Sequence, residues 1–294
     1  MDLPADLPAD LLGIRAIAFD VDGTLAGSDH HVSPRSLRAL AALRPAGIEP
    51  IIVTGRIVDA AVDILQRAGI DGYAVASNGA VAVDTRTAAP LHTATMDTRD
   101  VEALVEFGLA REVEPLVFTD REMVVMDGSV AHAYLVAANP TAVTRVVPRV
   151  DLPLAGITKA MLFGAADRLD ELDAEIRAAF PRAVRSMDYV FELGPAGADK
   201  WQALGAILDR LGIDPGEAAG VGDGENDLPW LARVGWPVAM ENAREPVKAI
   251  ARLQIGHHGD DAVAAFVEEL LDARARQVPG QVSQRVPRRV PGPV

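Results

Sequence analysis

Short apolar runs that stop at polar or small residues alternate with stretches of helical period over the first third of the chain. Ile14–Phe19 is such a run, ending abruptly at Asp20, as expected of a buried strand bounded by turn residues. A helical pattern follows over Ser36–Leu43, with Ser33-Pro34 as its start signal and Gly47 as its stop. Ile48–Val53 reads as a second buried strand and Tyr73–Ala76 as a third. Between them Ile57–Ala68 reads as a helix with Val58, Val62 and Leu65 on one face. This alternation predicts a parallel sheet with right-handed crossovers.

The rhythm then changes. Val81–Val83 and a polar segment lead to a helix near Thr98–Val113, then adjacent strand-like runs at Leu116–Thr119 and Met123–Met126. Ala142–Val147, strand Ile157–Phe163, helix Asp167–Phe180 and strand Tyr189–Leu193 follow, a pattern that suggests a small α+β unit. Alternation resumes with helix Lys200–Leu211, strand Ala218–Gly222, helix Asn226–Val234, strand Val238–Met240 and helix Asp261–Ala273. The expected fold is therefore α/β, a doubly wound (Rossmann-like) parallel sheet core interrupted by an inserted α+β domain. Its expected bounds are 10–83 and 188–273 for the core and 84–187 for the insertion. Residues 274–294 hold prolines, glycines and five arginines with no acid and no period, and read as a disordered tail.

Composition narrows the function classes. The 294 residues are about half apolar and carry a net charge of −14, which argues against nucleic acid as the main partner. Cysteine is absent, which excludes disulfides, thiolate metal sites and a Cys nucleophile. No run approaches a membrane span, and the acidic, proline-bearing start has no signal-peptide pattern. The expectation is a cytoplasmic protein with no membrane partner; oligomeric state is not legible in the pattern.

Four polar motifs fall just after strands of the alternating part, or at a helix start facing them. They are Asp20-x-Asp22-Gly-Thr24, Thr54-Gly55-Arg56, Lys200, and Gly222-Asp223-Gly224-Glu-Asn226-Asp227. Alone, each is bland: an Asp-Gly pair is usually a turn and a lone lysine a solvated face. Their convergence on one sheet edge is not, because the carboxyl ends of parallel strands are where open α/β sheets bind ligands. Two carboxylates one residue apart repel, and call for a shared proton or a hard divalent cation. Asp20 could attack phosphorus and Asp22 could act as general acid and then base. Magnesium held by Asp20, the main-chain carbonyl of Asp22 and Asp223 would offset charge repulsion. Thr54, Gly55 and Lys200 would bind the transferring phosphate.

The motifs DVDGTL, IIVTGR, SNGA, GADKWQAL, GDGENDLPWL and PVAMENA, in that order over residues 14–245, resemble the haloacid dehalogenase-like hydrolase superfamily. The nearest resemblance is to its Cof-type small-molecule phosphatases. That resemblance implies a magnesium-dependent phosphomonoesterase acting on a small phosphorylated metabolite, with a cap inserted between the second and third motifs. It implies Asp20 as nucleophile, Asp22 as acid/base, Thr54 and Lys200 as phosphate ligands and Asp223 as metal ligand. Asn226 and Asp227 are supporting positions. The chain departs from the pattern at Glu241, where glycine is usual, at Pro229 and Trp230, and over Gln254–Asp261.

Competing readings fare worse. A calcium loop starting at Asp20 would need glycine at Leu25 and glutamate at His31. A dinucleotide loop at Gly222 lacks its third glycine. The His30-His31 and His257-His258 pairs have no partners at metal-ligand spacing and read as loop residues, and Trp230 and Trp236 read as packing. Arg56 could pair with an acid at the boundary with the insertion or touch ligand. Arg121, Arg145, Lys159 and Arg185 are candidate substrate contacts, with surface charge as the blander reading. Two functional alternatives remain: a phosphosugar mutase of the same superfamily, and a non-catalytic ligand-binding protein on this fold.

Overall fold

In a computed structural model, the chain is described over residues 7–28, 30–87, 90–138 and 142–277. Its larger sheet contains β1 (Ala16–Phe19), β2 (Glu49–Val53), β3 (Tyr73–Ala76), β4 (Val81–Asp84) and β5 (Pro90–Thr93). A six-stranded sheet follows, from β6 (Glu114–Phe118), β7 (Glu122–Met126), β8 (Val143–Val147), β9 (Lys159–Phe163), β10 (Val184–Met187) and β11 (Val190–Leu193). The chain then returns to the larger sheet with β12 (Ala218–Gly222), β13 (Trp236–Ala239) and β14 (Leu253–Gln254). Helices α1 (Pro34–Leu43), α2 (Val58–Arg67), α6 (Lys200–Leu211), α7 (Leu228–Leu231), α8 (Glu245–Ile250) and α9 (Ala262–Gln277) go with the larger sheet. Helices α3 (Thr98–Ala110), α4 (His132–Ala138) and α5 (Ala166–Ala179) lie in the insertion.

The large sheet has the order β14-β13-β12-β1-β2-β3-β4-β5, parallel from β14 to β3 and antiparallel at β4 and β5. Strand order reverses between β1 and β12, which pair in parallel. The crevice at such a reversal is the ligand site of doubly wound folds. All residues of β1 and β12 are buried, so their continuous apolar pattern reflects cover on both faces. The α/β architecture with an inserted α+β unit is as the patterning implied.

The junctions lie later in the chain than expected. Asp84 ends β4, and β5 extends the large sheet to Thr93. The expected return at 188 falls in the turn between β10 and β11, which pair with each other in the smaller sheet. Periodicity missed both because β5 and β10 are short edge strands with largely exposed or polar residues. The helix expected over Asn226–Val234 is a 3-10 turn, Glu225–Asp227, followed by the single turn of α7, with Pro229 confined to its first turn where a missing N–H costs nothing. At the other end, α9 continues through Arg274 to Gln277, with Arg274 donating to the Ile14 carbonyl. The remainder of the expected tail, 278–294, lies outside the described residues.

Candidate active site

Asp20 stands one residue past β1, its N–H donating to Val221 O of β12 at 2.9 Å. It is therefore pinned at the reversal point, and it is buried. Facing it, Lys200 opens α6 behind an N-cap from Asp199. Its Nζ donates to Asp20 Oδ1 and to Asp227 Oδ1, each at 2.7 Å. Gly79 makes this approach possible: its φ is +99°, and a Cβ there would overlap the Asp199 carbonyl and the Lys200 N–H. The SNGA motif thus serves the lysine by letting the turn after β3 pack directly on the start of α6.

Asp227 is saturated. Its Oδ1 also accepts from Trp230 Nε1 at 3.0 Å, and its Oδ2 accepts from the N–H groups of Asp223 and Gly224 at 3.2 and 3.0 Å. Trp230, read as packing, is fully buried against Gly220 and also supplies this donor. Asp223 accepts from Thr24 Oγ1 at 3.3 Å and from Asn242 Nδ2 at 3.3 Å; Asn242 also donates to the Gly23 carbonyl at 2.8 Å. Gly23 has φ +80°, and a Cβ there would run into the Asp223 carboxylate. The DVDGTL and GDGEND loops are thereby held face to face.

The charges do not balance within this group. Burial and the neighbouring Asp227 push Asp20 well above the usual carboxylate range, against the pull of Lys200. Burial and Asp227 likewise push Asp223 up to about 6. Burial would lower Lys200, but its two carboxylate partners outweigh that and hold it charged. One oxygen each of Asp20, Asp223 and Asp227 lie within 4.8 Å of one another. Three clustered carboxylates against one ammonium leave excess negative charge, and an all-oxygen donor set fits a hard cation such as magnesium. Since Asp227 spends its oxygens on four donors, Asp20 and Asp223 are the pair with capacity for the ion.

Asp22 points elsewhere. Arg56 forks onto it, Nη2 to Oδ1 at 2.6 Å and Nε to Oδ2 at 3.0 Å, and His30 Nδ1 lies 3.2 Å from Oδ1. Burial raises the Asp22 carboxyl, but Arg56 and His30 outweigh it and hold the group below its usual range. Arg56 therefore pairs with an acid of its own sheet edge, and the His30 contact was not foreseen from sequence spacing. Thr54 is buried and accepts from Arg56 N at 3.0 Å, which leaves its own O–H to donate. Asn226 is exposed at the rim, and Gly55 lines the cavity beside Asn78.

The cavity over these groups measures about 890 Å³ and is lined in part by residues of the insertion, among them Phe118, Tyr134, Met161 and Val190. Tyr134 stacks on Phe163 at 5.8 Å, accepts from Tyr189 and donates to the Met187 sulfur, both at 3.2 Å. No helix among the described residues is long and apolar enough to cross a membrane. Sequence reasoning missed Asn242 as the holder of Asp223; PVAMENA was visible as a motif, but its asparagine had no stated task.

The chain resembles known proteins along most of its length. A phosphoglycolate phosphatase of Methanopyrus kandleri is 28% identical over 260 residues, covering 87% of this chain and 97% of that protein. A haloacid dehalogenase-like hydrolase from Bacteroides thetaiotaomicron superposes with a TM-score of 0.80 at 25% identity, over 87% of this chain and 99% of that one. Another from B. subtilis gives 0.74 at 26% identity, over 87% and 100%. The family model for haloacid dehalogenase-like hydrolases matches residues 17–267, as the Cof-type motifs implied. The chain belongs to the haloacid dehalogenase-like hydrolase family.

Proposed function

We propose that this phosphatase hydrolyses a small soluble phosphomonoester, a sugar phosphate or similar metabolite, with magnesium and through an aspartyl-phosphate on Asp20. The observation that carries the reading is the Lys200 bridge between Asp20 and Asp227 at the reversal point of the sheet, with Asp223 beside it. The relative named as a phosphoglycolate phosphatase supports a small phosphorylated substrate. The six-stranded unit, from after Thr93 to after Leu193, acts as the cap, and the absence of cysteine suits a cytoplasmic setting.

Asp20 and Asp223, with the main-chain carbonyl of Asp22, would hold the magnesium. When bound, the ion supplies charge neutralisation between an anionic nucleophile and an anionic phosphate. An Asp20 oxygen attacks phosphorus as the ester P–O bond breaks, and Asp22 gives its proton to the departing oxygen. Asp22 then takes a proton from water, whose oxygen attacks phosphorus and breaks the bond to Asp20. Arg56 holds Asp22 ionised in the present arrangement, so the first step requires Asp22 to leave that fork and gain a proton. Thr54, the Gly55 backbone and Lys200 orient the phosphoryl oxygens, and Asn226 and Asp227 support the loop and the lysine.

A screen of phosphorylated metabolites with and without magnesium tests the reading. Free phosphate released only with magnesium supports it. Isomerised sugar phosphate without free phosphate identifies a mutase, and ligand-induced thermal stabilisation without turnover identifies a binding protein.

A further inference from the structure

Four insertion cations were candidate substrate contacts, and their surroundings separate them. Arg121 is exposed beside Asp120, Arg145 forks onto Glu122 and Arg185 pairs with Asp170. Lys159 of β9 is the buried one, and it faces the core. Its Nζ donates to the Gly55 carbonyl at 3.0 Å, and stands 3.9 Å from Glu192 Oε1 and 4.8 Å from the centre of the Phe118 ring. An ammonium has three donors, and here one of them meets an acceptor within hydrogen-bond distance.

Neighbouring groups are underused in the same way. Glu192 accepts from Ser186 Oγ at 3.1 Å and Asn78 Nδ2 at 3.2 Å, about half of what a carboxylate can accept. The Ser77 hydroxyl and the Asn78 side-chain oxygen are buried with no partner. Lys159, Glu192, Ser77 and Asn78 all line the cavity. Buried polar atoms are rarely left unpaired without a use. Ser77 and Asn78 also have φ of 48° and 53°, consecutive left-handed residues of the kind kept at ligand clamps.

Lys159 and Glu192 form a loose ion pair at 3.9 Å, and Asn78 donates to Glu192, so a group set between the two charges must accept from one and donate to the other. A carboxylate would satisfy Lys159 but meet the charge of Glu192 across the same gap. A hydroxyl accepts from the ammonium and donates to the carboxylate. We propose that Lys159, Glu192, Ser77 and Asn78 form a hydroxyl-reading subsite that selects polyhydroxylated phosphomonoesters, sugar or polyol phosphates, over phosphorylated acids. The proposal rests on the phosphomonoesterase reading above.

The test measures kcat and KM with magnesium for a sugar phosphate series, phosphoglycolate and p-nitrophenyl phosphate. The wild type is compared with Lys159→Met, Glu192→Gln and the milder Ser77→Ala. The expected result is a wild-type preference for the hydroxylated esters. The ratio of kcat/KM for the preferred sugar phosphate to that for p-nitrophenyl phosphate then falls about tenfold or more in the charged-residue variants, mainly through KM. Ser77→Ala shows a smaller fall in the same ratio. An unchanged ratio in all three variants overturns the subsite and leaves these residues as a link between cap and core. A preference for phosphoglycolate that Lys159→Met abolishes overturns it in favour of a carboxylate reader. Wild-type turnover of p-nitrophenyl phosphate without any hydroxyl preference removes the subsite alone, whereas no magnesium-dependent turnover of any ester removes the phosphomonoesterase reading itself.

Discussion

Lys200 Nζ lies 2.7 Å from Asp20 Oδ1, joining residues 180 positions apart in the chain, and it shares its charge with Asp227 at the same distance. All three side chains are buried, so removing the ammonium leaves two carboxylates facing each other without compensation. Lys200→Met is expected to lose about 3 kcal/mol or more of stability in the metal-free protein, with magnesium restoring part of it. Thermal unfolding with and without magnesium measures this. Turnover should fall by about 10²-fold or more even in the magnesium-loaded protein, because the phosphoryl oxygens lose their buried cation.

Asn242 offers a separate test of the metal reading. It ties Asp223 to the Gly23 carbonyl and touches neither Asp20 nor Lys200 by any hydrogen bond among the described residues. Asn242→Ala should weaken magnesium binding about 10- to 100-fold, the usual cost of losing a group that orients a ligand. Turnover should recover at saturating magnesium. A magnesium titration of activity, run alongside calorimetry, separates this from a general loss of fold.

Acidity gives a third check. Asp223 is pushed up to about 6 from its ordinary 3.8 by burial and Asp227. In metal-free protein such a group stabilises the fold fully below its unfolded pKa, and that contribution is lost as pH rises through about 6. Magnesium acts in the opposite sense, since it must displace the proton. Magnesium affinity should therefore fall about tenfold or more per pH unit below about pH 6, because Asp20, also pushed above the usual carboxylate range, must shed its proton too. The melting-temperature gain on adding magnesium should widen as pH rises from about 4 to 7.

The core of this arrangement was legible because each motif sits at the end of an apolar run whose burial is complete. Ala16–Phe19 and Ala218–Gly222 are buried at every position, so their period could only mean central strands, and the polar residues after them had to reach the rim. The junctions of the insertion were not legible, since β5 and β10 lie at sheet edges where the hydrophobic pattern fades. The Arg56–Asp22 fork and the His30 contact were also hidden. They depend on how the loop after β1 folds back past Gly27, with His30 at φ 62°, and no sequence period encodes that return. Asn242 shows the same limit: a residue 19 positions from Asp223 reaches it only because β13 lies next to β12. Lys159 and Arg185 both line the cavity, and only the β9 register, which sets Lys159 opposite Phe118, singles out Lys159 as the buried one of the four candidates.

The central claim is that Asp20 is the nucleophile, and Asp20→Asn tests it most directly. Asparagine keeps the size of the side chain and its place beside Lys200 while removing the attacking carboxylate. Assayed with saturating magnesium and p-nitrophenyl phosphate, with folding checked by circular dichroism, the variant should lose about 10³-fold or more of kcat. Wild-type turnover in a folded Asp20→Asn protein would contradict the account.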